Sequence, residues 1–323
     1  MKGRIQAGVA MLSLAMSAGS WADAFPSRPI TWVVPYTPGG VTDHTSRMIG
    51  KLMADDLGQP VIVDNRPGAG GQLGTEQFKR AVPDGYTLLY GTQGTLATSP
   101  WLYKNVTYKP MEDFIPVHGM LASPTILVTG ANNRFKTIEE LVAFAKTNPG
   151  KVNMGSAGIG TGSHLAGELF QNAAGIKFTH VPYKGSGPAL NDLRGGAIDL
   201  LFDYMVSSTP HLQAGAIRPL AVTGKERVAA LPDTPTIAEA GFPEAQTTSW
   251  AGIFVPAGTP EPVIARLAQS MDKALASETV RTYAREFGSE PLIGLSQDKF
   301  SDFVREEMAR WKGVVEKANL QLD

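Results

Sequence analysis

The sequence contains no cysteine. That excludes a thiol nucleophile, a disulfide framework and any thiolate metal site. Charge is sparse as well. Only 18% of residues are Asp, Glu, Lys or Arg, and 29 basic against 30 acidic side chains leave a formal net charge of −1. A nucleic-acid partner needs a basic face, so none is expected. The five histidines, at 44, 118, 164, 180 and 211, are scattered and show no metal-ligand spacing. No G-x-x-x-x-G-K-[ST] phosphate loop occurs. Gly68-x-Gly70 with Gly74, and Gly158-x-Gly160 with Gly162, lack the dinucleotide spacing. Ser156 lies in Gly155-Ser156-Ala157-Gly158, which is not a nucleophile elbow. No cofactor, no metal and no catalytic residue is therefore expected. Beyond the N-terminus no apolar run is long enough to span a bilayer, so the mature chain is expected to be soluble.

The N-terminus has its own pattern. Lys2 and Arg4 precede an uncharged, mostly apolar run from Ile5 to Ala18. Small residues follow at Ser20-Trp21-Ala22 and Ala22-Asp23-Ala24. Residues 1–24 read as a secretory signal, cleaved near Ala22 or Ala24. The run is too short for an anchor, and without a cysteine the chain is no lipoprotein. Cleavage leaves about 300 residues, enough for two domains of ordinary size.

What the sequence has in quantity is glycine (35) and proline (23), scattered between apolar segments. That is the look of many tight βα turns. One stretch organises the rest. Ile30 to Val34 is an apolar strand, Pro38-Gly39-Gly40 a sharp turn, and Thr42 or Asp43 a candidate cap for the helix that follows. A strand, a glycine turn and a helix start leave free N–H groups aimed at one spot, which favours an anion. An ordinary βα turn is the competing reading. The pattern recurs after Pro60–Asp64, with Asn65–Gly71, and after Tyr86–Tyr90, with Gly91–Thr95. In open α/β sheets such loops meet at the carboxyl ends of the strands.

Ile115 to Thr129 reads as one long strand crossing between domains. Thr137 and Glu140 have the spacing of a capping box. A second block of βα units then repeats the opening logic, with strands at 152–154, 178–182, 198–202 and 217–223. Its first strand runs into Gly155–His164, and its second into Tyr183–Gly187 before a helix over Ala189–Leu193. Trp250–Val255 reads as a strand returning to the first block, followed by helices over 263–276, 279–287 and about 297–319. His44 and His164 sit at helix starts, where a hydrogen-bonding or capping role is favoured over a catalytic one. Asp43 is balanced between capping and binding. Arg66 apart, arginine is nearly absent from the rim loops, so an anion there would be held by backbone N–H groups, hydroxyls and water.

Taken together, the motifs resemble a known family. They include Val34-Pro35-Tyr36-Thr37-Pro38-Gly39-Gly40 with Asp43 and Arg47, Asp64-Asn65-Arg66-Pro67-Gly68-Ala69-Gly70-Gly71, and Pro83-Asp84-Gly85-Tyr86. Val181-Pro182-Tyr183-Lys184-Gly185, Gly196-Ala197-Ile198-Asp199, Leu231-Pro232-Asp233-Thr234-Pro235-Thr236 and Pro256-Ala257-Gly258-Thr259-Pro260 follow in order. The chain resembles the Bug family, the periplasmic solute-binding components of tripartite tricarboxylate transporters. The resemblance implies an α/β fold of the two-lobed periplasmic-binding-protein type (Venus flytrap, type II) with two crossover strands. It implies lobe I from residues 25–124 plus 247–323 and lobe II from 125–246. It implies a periplasmic protein, a monomer and not an enzyme, that captures a small carboxylate and delivers it to membrane permease subunits. A sensing subunit for a membrane receptor, or a periplasmic hydrolase, are the alternatives. Carried onto this sequence, the ligand site comprises Tyr36, Thr37, Pro38, Gly39, Gly40, Asp43, His44, Thr92 and Thr95 of the first lobe. From the second it takes Ser156, Gly160, Thr161, Ser163, His164, Tyr183 and Asp203. Tyr36-Thr37 stands where many members carry a small residue or Phe.

Overall fold

The computed structural model describes residues 25–317. The leader expected over 1–24 lies outside the described residues. Among the described residues, eleven strands form two mixed sheets. They are β1 (Ile30–Val34), β2 (Val61–Asn65), β3 (Thr87–Thr92), β4 (Phe114–Ser123), β5 (Thr125–Gly130) and β6 (Asn153–Ser156). β7 (Thr179–Pro182), β8 (Leu200–Tyr204), β9 (Ile217–Val222), β10 (Ser249–Pro256) and β11 (Glu290–Pro291) follow. The first sheet has the order β11-β4-β10-β3-β1-β2 and the second β7-β6-β8-β5-β9. Within each, the βα units pair in parallel, β1 with β2 and β3, and β6 with β7 and β8. The strands next to the crossings pair antiparallel.

Alternation in β1 shows how the first sheet is covered. Ile30, Trp32 and Val34 face one way, onto Ile49 and Met53 of the helix Val41–Leu57 and Leu267 and Met271 of the helix Glu261–Leu275. Val33 faces the other way, onto Phe78 and the tail helix Gln297–Lys317 through Phe300, Val304 and Trp311. The second sheet is covered likewise. Leu127, Leu200 and Phe202 meet the helices Ile138–Thr147 and Gly162–Ala174. Ile126, Val128 and Leu201 meet Leu190 and Leu193 of the helix Ser186–Gly195, and Met205, which opens the helix Met205–Gln213. Burying strands on both faces is what their near-continuous apolar runs require.

Three local expectations are corrected. Ile115 to Thr129 is two strands, because Pro124 ends β4 and β5 belongs to the other sheet. The helix Val41–Leu57 is capped by Gly40, not by Thr42 or Asp43; Asp43 lies in the first turn and accepts the Gly39 N–H at 3.1 Å. At the helix Ile138–Thr147, Thr137 caps the Glu140 N–H, but the Glu140 carboxylate takes the Lys136 N–H, one residue earlier than a capping box needs.

The chain crosses between sheets at residues 123–125 and again between β9 and β10. The crossings are tied to each other. Thr125 N–H donates to Thr223 Oγ1 at 2.9 Å, and Thr223 N–H to the Thr125 carbonyl at 2.9 Å. The two hydroxyls lie 3.1 Å apart, and Thr247 N–H donates to the Thr223 carbonyl at 2.9 Å. Both Thr125 and Thr223 are buried, so these groups have no water to fall back on. Thr223→Val leaves the Thr125 N–H unpaired, a cost of ~1–3 kcal/mol. The expected melting temperature falls by several degrees, and Thr223→Ser restores most of it. An unchanged melting temperature in the valine variant would remove this tie from the account.

Candidate functional site

Helix starts converge between the sheets. The N-cap residues of four helices, Gly40 (41–57), Thr161 (162–174), Gly185 (186–195) and Tyr204 (205–213), all line one cleft. Thr92, which caps the short helical turn Gln93–Thr98, lines it too. Thr92 and Thr161 spend their own hydroxyls as caps, accepting the Thr95 and His164 N–H groups. Gly40, Gly185 and Tyr204 make no side-chain cap. Their helices therefore present unclaimed N–H groups, with the positive end of the dipole, to the cleft from both lobes.

The cleft holds a chamber of ≈ 70 Å³. At ~10–15 Å³ per water that is room for several waters or one small ligand. Among the described residues lining it, none carries a charged side chain. Apart from Gln93 and the Trp250 indole, the polar side chains lining it are hydroxyls. Tyr36 Oη lies 2.9 Å from Thr92 Oγ1, Tyr90 Oη lies 2.9 Å from Thr45 Oγ1, and the Tyr204 phenol bonds Ser249. Burial pushes all three phenols well above their usual pKa, so they stay neutral. Trp250 forms one wall. Phe300 and Phe303 meet its ring edge-on at 6.0 and 5.5 Å, and its indole N–H donates to Glu307 at 2.9 Å. The tail helix thus fixes a cleft residue from behind.

Of the residues singled out from the sequence, Tyr36, Thr37, Gly40, Thr92 and Thr161 come together on this chamber. Tyr183 lines a second, outer chamber, its phenol donating to Asp192 at 2.6 Å. The others stand behind the wall. Pro38 and Gly39 form the exposed part of the turn. Both oxygens of Asp43 are engaged, one by Gly39 N–H and one by Arg47 Nε at 2.9 Å. Burial pushes the Asp43 carboxyl up, but Arg47 and the Gly39 N–H outweigh it and hold it below the usual range. His44 is exposed and stacks on Tyr283 at 5.9 Å. Thr95 caps Thr92 in return. Ser163 donates to the Phe202 carbonyl.

Asp203 is fully buried and accepts from Ser186, Ser207 and Ser208 at 2.5, 2.6 and 2.8 Å. Burial raises its pKa against the pull of those hydroxyls. Because the Ser186 hydroxyl donates to Asp203, what Ser186 offers the cleft is its N–H. The loop 156–161 is held by two stacked imidazoles, His164 and His180, 4.1 Å apart. Ser156 Oγ lies 2.7 Å from His180 Nε2, and Gly160 N–H donates to His164 Nδ1 at 3.2 Å. Burial, helped by the neighbouring His164, lowers the His180 pKa to about 3. Ser156 accepts the Gly158 N–H at 3.2 Å and is fully buried, so this serine–histidine pair braces a loop.

Tyr90, Ser123, Tyr204, Ser249 and Trp250 also line the chamber, although sequence reasoning passed over them. All but Tyr90 sit at or near strand ends beside the crossings. Gly185 and Ser186 were hidden because the helix begins at Ser186, earlier than the apolar residues Ala189–Leu193 suggest. The glycine that breaks the strand before it was the available signal.

Glycines let the lobes approach closely, twice backbone to backbone and once against a side-chain hydroxyl. A Cβ on Gly94 would lie 2.6 Å from the Gly160 carbonyl, one on Gly70 2.2 Å from the Ile159 carbonyl, and one on Gly185 2.2 Å from Thr37 Oγ1. Tyr103 Oη donates across the same seam to the Ile159 carbonyl at 3.1 Å. Leu165, from the helix 162–174, packs into the core beside Leu96 and Trp250.

A family model described as "Tripartite tricarboxylate transporter family receptor" matches residues 45–320. Protein BugT of Bordetella pertussis is 36% identical over 316 residues, 98% of this chain and 97% of its own length. Among solved structures, an R. palustris protein with adipate is 37% identical, with a TM-score of 0.87 over 91% of this chain and 98% of its own. MatC from Rhodopseudomonas palustris with bound malate is 35% identical, with a TM-score of 0.84 over 90% of this chain and 100% of its own.

The seam generates a prediction. Unlike Gly70 and Gly185, Gly94 has no left-handed backbone, so alanine there strains nothing until the lobes close. Gly94→Ala is expected to leave the melting temperature of the ligand-free protein unchanged and to weaken ligand binding about tenfold or more, measured by calorimetry. Equal affinity in both proteins would mean that the lobes do not meet here in the bound state.

Proposed function

The chain belongs to the tripartite tricarboxylate transporter receptor family, and we propose that it captures a small carboxylate in the interlobe chamber and hands it to that transporter's permease. It is a solute-binding protein, not an enzyme. The observation that carries the ligand class is the convergence of the Gly40, Gly185 and Tyr204 helix starts on a chamber without charged lining residues. The relatives solved with adipate and malate support the same class.

Energetics agree. A partly buried charge gains up to ~2 kcal/mol at a helix N-terminus. Each hydrogen bond to a charged group adds ~1.5–3 kcal/mol. Three such starts reach the ~8 kcal/mol of a micromolar complex once ordering is subtracted. Ligand contact is assigned to Tyr36, Thr37, Gly40, Thr92 and Thr161, joined by Gly185, Ser186, Tyr204 and Ser249. Asp43, Ser156, Ser163, His164 and Asp203 position the loops that present them. Lobe I comprises residues 25–124 with 247–323, lobe II 125–246, and they turn about Thr125, Thr223 and Thr247. Residues 1–24 direct export to the periplasm and are removed by cleavage near Ala22 or Ala24, and the protein works as a monomer. No helix among the described residues is long and apolar enough to cross a membrane.

A thermal-shift screen of the mature protein against small mono-, di- and tricarboxylates tests the reading. A ligand at 100 times its Kd adds ~2.7 kcal/mol, a rise of several degrees. The matching esters or amides are expected to give no rise. Shifts confined to neutral compounds would overturn the carboxylate assignment.

A further inference from the structure

We propose that the Tyr36 ring is a partition that limits the length of acid the cleft accepts. The inference deepens the carboxylate reading and rests on it. Beside the inner chamber of ≈ 70 Å³ lies an outer one of ≈ 330 Å³, between Pro67–Gly71 of the first lobe and residues 157–159 and 182–184 of the second. Tyr36 and Ala157 line both. Ala157 is too small to divide them, so the phenol ring is the wall.

The ring is held from both sides. On the inner side its hydroxyl lies 2.9 Å from Thr92 Oγ1. On the outer side Gly71 makes room for it, since a Cβ there would lie 3.1 Å from both Cζ and Oη of Tyr36. The Tyr36 carbonyl accepts from Asn65 Nδ2 at 3.1 Å, which pins the backbone. These contacts set the phenol between the two chambers.

The two chambers differ in chemistry. The inner one meets an anion with N–H groups and hydroxyls. The outer one is lined by Lys184, the one charged side chain lining either chamber among the described residues. A short acid fits the inner chamber. The far carboxylate of a longer diacid meets the Tyr36 ring, where it is stripped of water and given no cation. Without the ring, the same carboxylate passes into the outer chamber towards the Lys184 ammonium.

The test is calorimetry with linear diacids from succinate through adipate to sebacate, on the wild type and on Tyr36→Ala, Tyr36→Leu and Tyr36→Phe. Wild-type affinity is expected to fall steeply past a limiting length. In Tyr36→Ala or Tyr36→Leu, the affinity ratio of the acid just beyond that limit to the best short acid should rise about tenfold or more. Tyr36→Phe keeps the ring and should keep the wild-type ratio. Adding Lys184→Met to Tyr36→Ala should remove most of the gain for the diacid but not for a monoacid of equal length. A short acid that still binds the alanine and leucine variants, with the ratio unchanged, overturns the partition alone. A wild type that binds no acid of any length overturns the carboxylate reading and the partition with it.

Discussion

A helix start without a side-chain cap leaves donors that need an acceptor, and the cleft depends on that need. Gly40, Gly185 and Tyr204 offer no cap, and their helices begin at the same chamber. The buried carboxylate beside two of these starts is taken up by side-chain donors. Asp203 sits buried at the starts of the helices 186–195 and 205–213 and collects three serine hydroxyls. What remains is a set of backbone donors aimed at a small volume. Recognition by backbone dipoles suits a protein that must also release its ligand. It fixes the position of a carboxylate without the deep desolvation cost of a buried ion pair.

The site is complete only when the lobes are together, and two features set how they meet. Thr125 and Thr223 tie the two crossings to each other. At the far side, Gly94 and Gly70 face the Gly160 and Ile159 carbonyls with no side chain between them. Closure therefore brings main chain against main chain. The loop that receives them is stiffened from behind by His164, His180 and Ser156. Those residues look like chemistry in a sequence and serve as scaffolding in the fold.

Much of this was legible beforehand. Strand β1, the glycine turn after it and the helix ended by Gly58 follow from apolar runs and turn residues, which are local signals. The family motifs added the two-lobed plan. The sequence was less informative where long-range geometry decides. Pro124 reads as an interruption in an apolar run, yet it marks the passage from one sheet to the other. The family resemblance implied Asp43 and Asp203 as ligand contacts, and Asp43 was equally a candidate cap. Burial turned both inward, onto Arg47 and onto three serines. Tyr204, Ser249 and Trp250 carried no local mark, since only the pairing of β10 with β3 and β4 brings Ser249 and Trp250 to the chamber.

The central claim is that backbone N–H groups at helix starts, and no cationic side chain, hold the ligand's carboxylate. The most direct measurement is an amide NMR titration of the isotope-labelled mature protein with a binding carboxylate. The account predicts large, saturable downfield proton shifts at Val41, Ser186 and Met205, the first residues of the three uncapped helices that start at the chamber. It also predicts small shifts at arginine and lysine side-chain resonances. Saturable shifts at guanidinium or ammonium groups, with the amides of Val41, Ser186 and Met205 unmoved, would contradict it.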